Sequence, residues 1–376
     1  MTDGVNLQDK KRVLLCAGGT GGHLFPAHAL ASELQRRGFE IHLVSDERID
    51  RFAEDFPADF RHSVPSATLA GKSIIKLAKA LYALGVGYLE GRRLVRDTKP
   101  DVVVGFGGYP TVPPVFAAAT KGVPTIIHEA NAVLGRANKF LSRSVKSIAL
   151  GLPLQGNSFS KAINTGNPVR DAVHDAAKVA YKTPSIDDKF ALTVFGGSQG
   201  AQFFSATLPK AIGLMSETHR KRLHLVQQAR NEDEQALRSA YDVMAISAEV
   251  NSFFNDMPMK IAESHFVICR SGASTTAELA VIGRPALLVP YPFALDHDQA
   301  ANAAALLKGE GAFVRAQADI TPEWLAEELA TLMDDPERLT KLAHNAKAQG
   351  QPDATLKLAN AVALLADGKT PTNATI

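Results

Sequence analysis

The chain has 376 residues, which is enough for two domains of ordinary size. Its composition, with 45% hydrophobic and 21% charged residues, is typical of a soluble globular protein, and its net charge of +2 gives no reason to expect a nucleic-acid partner. The opening segment MTDGVNLQDKK has no apolar signal-peptide core, and no uncharged apolar run reaches the ~20 residues that span a bilayer. We therefore expect a reducing, cytoplasmic setting, in which Cys16 and Cys269 are buried thiols rather than a disulfide.

Apolar, strand-like runs alternate with helix-like segments through the first half of the chain. Strands are predicted at 12–16, 40–45, 101–105, 124–128 and 146–150. Glycine-rich turns follow the first of these strands, in GGTGGH, and the third, in GFGGYP. A helix with Leu30 and Leu34 on one face follows the first turn and ends at Gly38. This alternation predicts an α/β fold with a parallel sheet.

The second half of the chain repeats the pattern. FALTVFGGSQGAQFF is predicted to form a strand, a glycine turn and a helix, and FVICRSGASTTAELAVIGRPALLVP a strand, a turn, a helix and a strand. We predict two Rossmann-like, doubly wound domains, at 1–165 and 166–352, and a segment 353–376 whose helix returns to the first domain. Ligands of such sheets bind outside the carboxyl ends of the strands, so domains that face each other are expected to enclose a cleft for a donor and an acceptor.

The glycine turns favour a phosphate-bearing ligand, although a single turn of this kind is also an ordinary tight connection. Thr20, Gly21 and Gly22 lie where a strand meets a helix, and Ser198 lies at the equivalent turn of the second half. Glycine allows close approach to the backbone, and the helix that follows points its N–H groups at an anion. Neither turn has the Lys-Ser/Thr pair of a P-loop nucleoside triphosphatase. Neither has the complete G-x-G-x-x-G spacing of a dinucleotide-binding turn, so a dehydrogenase is the weakest of the functions considered.

Polar residues near two strand ends are the candidates for proton transfer. His23 follows the first glycine turn, where its imidazole is suited to take a proton from an attacking hydroxyl near neutral pH. His128, Glu129 and Asn131 follow the strand TII. The structural alternative for His23 is a hydrogen bond to a loop carbonyl. For His128, Glu129 and Asn131 the alternative is hydrogen bonding within the loop. No H-x-x-x-H pair or comparable spacing is present, so a metal site is not expected.

Two segments of the second half are candidates for nucleotide-sugar binding. CRSGASTTAEL places Ser274 and Thr275 at a helix start, and Glu278 one turn further, where a carboxylate is suited to bind a ribose diol. The alternative for Glu278 is a solvated helix acid. In DHDQAAN, Gln299 and its neighbours Asp298 and Asn302 are candidates for sugar hydroxyls, although the composition alone indicates only a polar helix start.

Residues 72–96 combine an apolar face with clustered cations, which suits an interfacial helix on anionic lipid. The alternative is an amphipathic helix packed on its own sheet. The residues expected to contact the membrane are Ile74, Ile75, Lys76, Lys79 and Leu81.

With these motifs in place, the sequence closely resembles the MurG family of peptidoglycan N-acetylglucosaminyltransferases. The resemblance covers most of the chain, in family order, through GGTGGHLFPAHALA, PDVVVGFGGYPTVPP, HEANAVLGRANK, TGNPVR, VFGGSQGA, CRSGASTTAELAVIGRPALLVP and DHDQAANA.

The resemblance implies a GT-B type, inverting hexosyltransferase without a cofactor or an essential metal in the active site. The family transfers N-acetylglucosamine (GlcNAc) from UDP-GlcNAc to the 4-hydroxyl of the N-acetylmuramyl (MurNAc) unit of undecaprenyl-diphosphate-MurNAc-pentapeptide (lipid I), giving lipid II and UDP. It serves cell-wall biogenesis, cell shape and cell division as a peripheral protein on the cytoplasmic face of the inner membrane, where other cell-wall or division proteins are possible partners. That setting favours the membrane interpretation of 72–96.

Family positions can be assigned residue by residue. The donor positions match Thr20, Gly21, Gly22, Asn131, Arg170, Ser198, Phe254, Glu278 and Gln299. The acceptor side matches Tyr109 and His128, with His23 and Glu129 as the candidate catalytic groups. The sequence departs from the family at Ala130 and Asp298, where glutamine is common, and in VQQAR, so that Gln228 is given no role.

Our main hypothesis is an inverting displacement with His23 as the base, and Glu129 as the other candidate. Two alternatives remain. A UDP-GlcNAc 2-epimerase of this architecture would consume donor without an acceptor, and a non-catalytic sugar-nucleotide-binding subunit would bind donor and turn nothing over.

Overall fold

The structure is a computed structural model that describes residues 10–45, 55–65, 74–156, 158–294 and 298–376; the side chains of 74–78, 80, 81, 197–201 and 305 are outside the description. The chain forms two compact units, one comprising Met1–Arg170 with Asp353–Ile376 and the other Asp171–Pro352. The division therefore falls after Arg170, whereas the sequence placed it after Thr165.

The first unit contains a seven-stranded parallel sheet. Its strands are β1 (Arg12–Cys16), β2 (Glu40–Ser45), β3 (Phe60–Ser63), β4 (Val102–Gly105), β5 (Thr125–Glu129), β6 (Ser147–Leu150) and β7 (Ala162–Asn164). They lie in the order β3-β2-β1-β4-β5-β6-β7. The helices among them are α1 (Gly21–Arg36), α2 (Ile74–Thr98), α3 (Val112–Thr120) and α4 (Arg136–Leu141), with a 3₁₀ turn at Tyr109–Thr111.

The second unit contains a six-stranded parallel sheet. Its strands are β8 (Phe190–Phe195), β9 (Leu223–Gln228), β10 (Ser247–Asn251), β11 (Phe266–Cys269), β12 (Ala286–Leu288) and β13 (Ala312–Val314), in the order β10-β9-β8-β11-β12-β13. The helices are α5 (Asp171–Ala176), α6 (Gly197–Leu214), α7 (Glu217–Arg222), α8 (Asn231–Val243), α9 (Met257–Glu263), α10 (Ala273–Ile282), α11 (Asp298–Lys308), α12 (Pro322–Met333) and α13 (Pro336–Ala348). Each unit is doubly wound, as predicted.

The last helix, α14 (Ala354–Ala366), belongs to the first unit. Leu358, Val362 and Leu365 are buried in the same apolar cluster as Leu30 and Leu34 of α1. At the start of α14, Thr355 donates a hydrogen bond of 3.2 Å to the carbonyl of Val169. The helix therefore completes the core of the first sheet.

Strand register determines which loops meet at each sheet edge. In the first unit Cys16 pairs with Gly105, so the turn after β1 lies beside the turn after β4. In the second unit Cys269 pairs with both Phe195 and Leu288, which aligns the ends of β8, β11 and β12. Because all these strands are parallel, each sheet gathers its glycine turns at one edge.

Both cysteines are fully buried, free thiols, as the sequence predicted, and burial raises the pKa of each. Among the described helices, none has the length and apolar character required to cross a bilayer.

Candidate functional site

The imidazole of His23 packs against the glycine turns that follow β1 and β4. We call this environment, formed by Gly18, Gly107 and Gly108, the His23 seat. A Cβ atom on Gly18 or Gly107 would lie 3.2 or 3.3 Å from the imidazole, and Gly107 has φ +88°, which a side chain would disfavour. The Nδ1 atom of His23 lies 3.0 Å from the Thr20 hydroxyl oxygen. When Nδ1–H donates to Thr20, the Nε2 atom is left as a proton acceptor. The seat thus presents an oriented, half-buried imidazole beside the start of α1.

His128 is in a different environment from His23. It is 1% exposed, and its Nε2 atom lies 3.3 Å from the carbonyl oxygen of Gly166. Burial, assisted by the nearby His23, lowers the pKa of His128 to about 4, against the opposing effect of the Gly166 hydrogen bond. It is therefore a neutral imidazole at neutral pH that ties the end of β5 to the TGNPVR segment.

Glu129 is surrounded by hydrogen-bond donors. Its carboxylate accepts from the backbone and side-chain nitrogens of Asn131, both at 3.1 Å, from the Gly135 nitrogen at 3.0 Å and from the Asn138 amide at 2.9 Å. Burial raises the pKa of Glu129, and these hydrogen bonds oppose the rise. The side chain is 3% exposed. This geometry suits a group that shapes the loop after β5 better than a base that must reach a substrate.

Arg170 lies beside the first glycine turn because its guanidinium stacks on an aromatic ring. The guanidinium carbon is 3.9 Å from the ring centroid of Phe25 in α1. A Cβ on Gly21 would lie 3.2 Å from the same ring, whereas one on Gly22 would meet no atom within 4 Å. The start of α1 therefore carries a cation and an open backbone surface, which is the environment of an anion site.

The first unit brings together nine of the predicted site residues. They lie at the turn after β1 and the start of α1, on the turn after β4, at the end of β5 and the loop after it, and at the end of the TGNPVR segment, and are Thr20, Gly21, Gly22, His23, Tyr109, His128, Glu129, Asn131 and Arg170. Tyr109, half-buried, begins the 3₁₀ turn that follows Gly107 and Gly108.

The second unit holds the remaining predicted donor residues. Ser198 lies in the first turn of α6, and its side chain is outside the description. Ser274 and Thr275 lie in the first turn of α10, and the Ser274 hydroxyl oxygen is shielded from solvent without a hydrogen-bond partner among the described residues. Glu278 is only 8% exposed, which excludes the alternative of a solvated surface acid.

Gln299 is held in place by its neighbours. Its side-chain oxygen accepts a hydrogen bond of 2.9 Å from the backbone nitrogen of Tyr291, and its carbonyl accepts one of 2.8 Å from the Ser271 hydroxyl. Asn302 is fully buried and lies 3.4 Å from the Ser271 carbonyl. Of the two amides, Gln299 is partly exposed, whereas Asn302 is buried and supports the loop.

The two phenylalanines after β10 differ in solvent exposure, and the sequence did not indicate which one is buried. Phe254, the predicted neighbour of the uracil, is 6% exposed, whereas Phe253 is 53% exposed. The more accessible aromatic surface of this loop therefore belongs to Phe253. Two adjacent phenylalanines after a strand give no periodic signal that would show which one faces solvent.

The predicted membrane segment forms most of α2. Within it, Ile74, Ile75, Lys76 and Leu81 have side chains outside the description, and Lys79 is exposed. Tyr88 packs on α3 through Phe116, at 5.7 Å between ring centroids, whereas Tyr82 and Leu89 are 76% and 65% exposed. The helix thus packs on one face and exposes large apolar side chains on another, and its contact with a membrane stays a prediction.

In the part of the chain that the structure describes, no group of three or more histidine, cysteine, aspartate or glutamate residues is arranged to hold a metal ion.

Comparisons with known proteins cover both units. The glycosyltransferase family 28 N-terminal domain matches residues 13–150, and the C-terminal domain of that family matches residues 191–358. The chain is 53% identical over 367 residues to the UDP-N-acetylglucosamine–N-acetylmuramyl-(pentapeptide) pyrophosphoryl-undecaprenol N-acetylglucosamine transferase of Brucella abortus strain S19, with 97% of each chain covered. The enzyme of the same name from Brucella melitensis biotype 1 is also 53% identical over 97% of each chain.

Solved structures show the same architecture. The crystal structure of Acinetobacter baumannii MurG superimposes with a TM-score of 0.75 at 29% identity, covering 94% of this chain and 99% of the other. The UDP-GlcNAc 2-epimerase of Neisseria meningitidis bound to UDP-GlcNAc gives a TM-score of 0.61 at 15% identity, with 92% and 98% covered. The second likeness concerns the fold alone.

Proposed function

The chain belongs to glycosyltransferase family 28, and from this we propose that it transfers GlcNAc from UDP-GlcNAc to the 4-hydroxyl of MurNAc in lipid I, giving lipid II and UDP in peptidoglycan synthesis. The observation that carries the proposal is the 53% identity, over 97% of both chains, to a transferase named for this reaction. The oriented imidazole of His23 and the cationic start of α1 supply chemistry that the reaction needs.

We assign the attack to a hydroxyl deprotonated by His23. The 4-hydroxyl oxygen forms a bond to the anomeric carbon as the bond from that carbon to the UDP oxygen breaks, and Nε2 of His23 takes the hydroxyl proton. Displacement from the opposite face inverts the anomeric configuration. General-base help of this kind contributes typically 10²–10⁴-fold. His23 is preferred to Glu129 because the Glu129 oxygens already accept four hydrogen bonds.

The leaving diphosphate gains negative charge in an oxocarbenium-like transition state. Arg170 and the N–H groups at the start of α1 and α10 are suited to stabilise such charge. Ser198, Ser274 and Thr275 lie in first helical turns and are assigned to the phosphates, together with Thr20, Gly21 and Gly22. No step in this mechanism requires a metal or a cofactor.

Recognition of the rest of the donor is assigned to single residues. We assign the ribose diol to Glu278, the GlcNAc hydroxyls to Gln299, and the uracil to the loop that carries Phe253 and Phe254. Asn131 is assigned to the donor through the loop that Glu129 holds, and Tyr109 to the acceptor side. His128 is buried, so we assign it to the acceptor side only through the segment that it bonds at Gly166.

The lipid substrate requires contact with a membrane surface. We propose that α2 binds the cytoplasmic face of the inner membrane peripherally, with Tyr82 and Leu89 as the exposed apolar residues and Lys79 near anionic head groups. Other cell-wall and division proteins at that membrane are the protein partners to expect.

The membrane proposal predicts a charge effect. Lys79→Glu is expected to weaken sedimentation with vesicles of phosphatidylglycerol and phosphatidylcholine, because each cation near an anionic surface contributes about 1 kcal/mol. Lys210→Glu, in the second unit, is the control. Equal binding by the wild type and Lys79→Glu at low salt would contradict the assignment of this face.

A transfer assay separates the proposed function from its alternatives. Radiolabelled UDP-GlcNAc is incubated with a short-chain lipid I analogue in EDTA, beside a reaction without acceptor. Acceptor-dependent labelled product supports the transferase. Donor consumption without acceptor would instead identify a 2-epimerase, and donor binding without either reaction a binding subunit.

A further inference from the structure

Arg270, the first residue after β11, is a buried cation at the sugar-binding edge of the second unit. It is 5% exposed. Its Nη1 atom donates to the carbonyls of Val289 and Pro290 at 3.2 and 3.4 Å, and its Nη2 atom donates to Gln317 at 2.6 Å. One guanidinium thus connects the end of β11 with the loops that follow β12 and β13.

Aromatic rings enclose the same guanidinium. Its carbon lies 5.1 Å from the ring centroid of Phe204, 5.3 Å from that of Tyr291 and 5.5 Å from that of Phe203. Burial lowers the pKa of Arg270 to about 10, so the side chain remains charged at neutral pH. A planar cation with fixed donors suits this environment, and lysine cannot reproduce both the stacking and the fork.

Two short paths connect Arg270 with Gln299. The guanidinium contacts the ring of Tyr291, whose backbone nitrogen donates to the Gln299 side-chain oxygen. Ser271, the next residue in the chain, donates from its hydroxyl to the Gln299 carbonyl. Because a backbone N–H can only donate, the Gln299 oxygen must face Tyr291, which leaves the amide nitrogen to donate elsewhere.

We propose that Arg270 is a positioning residue for donor recognition: it holds Tyr291 and Ser271 so that Gln299 offers its amide N–H groups to a sugar oxygen. The inference rests on the proposed function, since it assigns Gln299 to the sugar of the nucleotide. It implies that Arg270 affects binding of the sugar part and leaves binding of the uridine diphosphate part nearly unchanged.

The test compares two ligands on three proteins. Affinities of the full chain for UDP and for UDP-GlcNAc are measured by isothermal titration with the wild type, Arg270→Lys and Arg270→Met. The Met variant is expected to bind UDP-GlcNAc roughly tenfold more weakly, the loss expected when buried hydrogen-bond partners are disturbed, while its affinity for UDP stays within about twofold of wild type. Arg270→Lys keeps the charge but loses the fork, and is expected to be intermediate.

Arg284 provides the matched control. It is also an almost fully buried arginine of the second unit, and it donates to the carbonyls of Ala262, Ile282 and Val179 at 2.9 to 3.1 Å, away from the sugar-binding loops. Arg284→Lys is expected to lower the melting temperature without changing the ratio of the two affinities.

Two results would overturn this inference but leave the proposed function standing. One is a ratio of UDP-GlcNAc affinity to UDP affinity that equals the wild-type ratio in both Arg270 variants. The other is the same change of that ratio in Arg284→Lys. If the wild type binds UDP-GlcNAc no more tightly than UDP, both the inference and the proposed donor are overturned. Folding of Arg270→Lys is checked by circular dichroism, so that the result stands if Arg270→Met fails to fold.

Discussion

The strand-end edges of the two units have the same backbone plan and different side chains. In the first unit the glycine turn seats His23, and the neighbouring loop is organised around a buried carboxylate, Glu129. In the second unit the corresponding edge is organised around a buried cation, Arg270, with Gln299 fixed beside it. We therefore assign proton transfer to the first edge and recognition of the donor sugar to the second.

This difference teaches that the doubly wound fold provides a place for a ligand, and that the side chains at the strand ends decide the chemistry. Both edges use glycine turns and helix starts, which favour phosphate in the same way. The predictions below separate the two edges, beginning with the largest expected effect.

Removal of the imidazole should break the chemistry of the first edge. His23→Ala is expected to lower kcat by about 10²–10⁴-fold, because a general base contributes that much. Steady-state transfer assays at saturating donor and acceptor measure the loss. Near-normal turnover in His23→Ala would remove His23 from the role of base.

The buried His128 should make the first unit sensitive to acid. Its pKa of about 4 lies below the value of about 6.5 expected in the unfolded chain. The stability due to this group is therefore fully present above pH 6.5 and is lost as the pH falls towards 4, by about 3 kcal/mol in total. Urea unfolding between pH 7.5 and 4.5 measures the slope.

His128→Gln is expected to flatten that pH dependence, and His224→Gln, at an exposed position of the second unit, is expected to retain it. A wild-type slope in His128→Gln would show that His128 is not the source of the acid sensitivity.

The ring of Phe25 is expected to support catalysis because it holds the Arg170 guanidinium in position. Phe25→Leu is expected to lower kcat/KM by about 2- to 30-fold, the range that corresponds to a cation–π contact of 0.5–2 kcal/mol. Phe25→Tyr retains the aromatic face and should restore most of the activity. An equal loss in both variants would indicate a packing effect rather than placement of Arg170.

Gly107 and Gly22, both at the first edge, are expected to respond differently to replacement by alanine. Gly107→Ala is expected to lower stability by about 1 kcal/mol, because its φ of +88° disfavours a side chain and its Cβ would press on His23. Gly22→Ala, with open space around its Cβ, should preserve the melting temperature. Thermal unfolding of both variants measures the contrast, and an equal destabilisation would show that the seat does not depend on backbone geometry.

Much of the fold was predictable because the central strands are continuous apolar runs. The predicted bounds of β1 and β2 agree with the structure, those of β4 and β6 differ by one residue at the start, and β5 is shifted by one residue at both ends. The sequence pattern did not predict β3, β7, β10 or β13, which are the four edge strands of the two sheets. They are short or partly exposed and therefore lack the continuous buried pattern.

The candidate site was predictable to the level of which loops carry it, because parallel strands end at a common edge. The roles of individual residues depend on contacts between distant parts of the chain. The donors around Glu129 and the Phe25–Arg170 stack have no local pattern, so the sequence favoured His23 as the base but left Glu129 as a second candidate. Burial likewise excludes a solvated acid for Glu278, whose role toward the ribose stays a prediction.

The central claim, that His23 of the first edge supplies the base and that Glu278 of the second edge binds the donor, is tested most directly by measuring UDP-GlcNAc affinity and turnover together in His23→Ala and Glu278→Ala. The account predicts that His23→Ala binds UDP-GlcNAc within about twofold of wild type yet loses turnover, because a base acts mainly in the transition state. It predicts that Glu278→Ala loses affinity by about tenfold, because a buried hydrogen-bonding carboxylate is removed. Loss of donor binding in His23→Ala, or unchanged binding in Glu278→Ala, would contradict it.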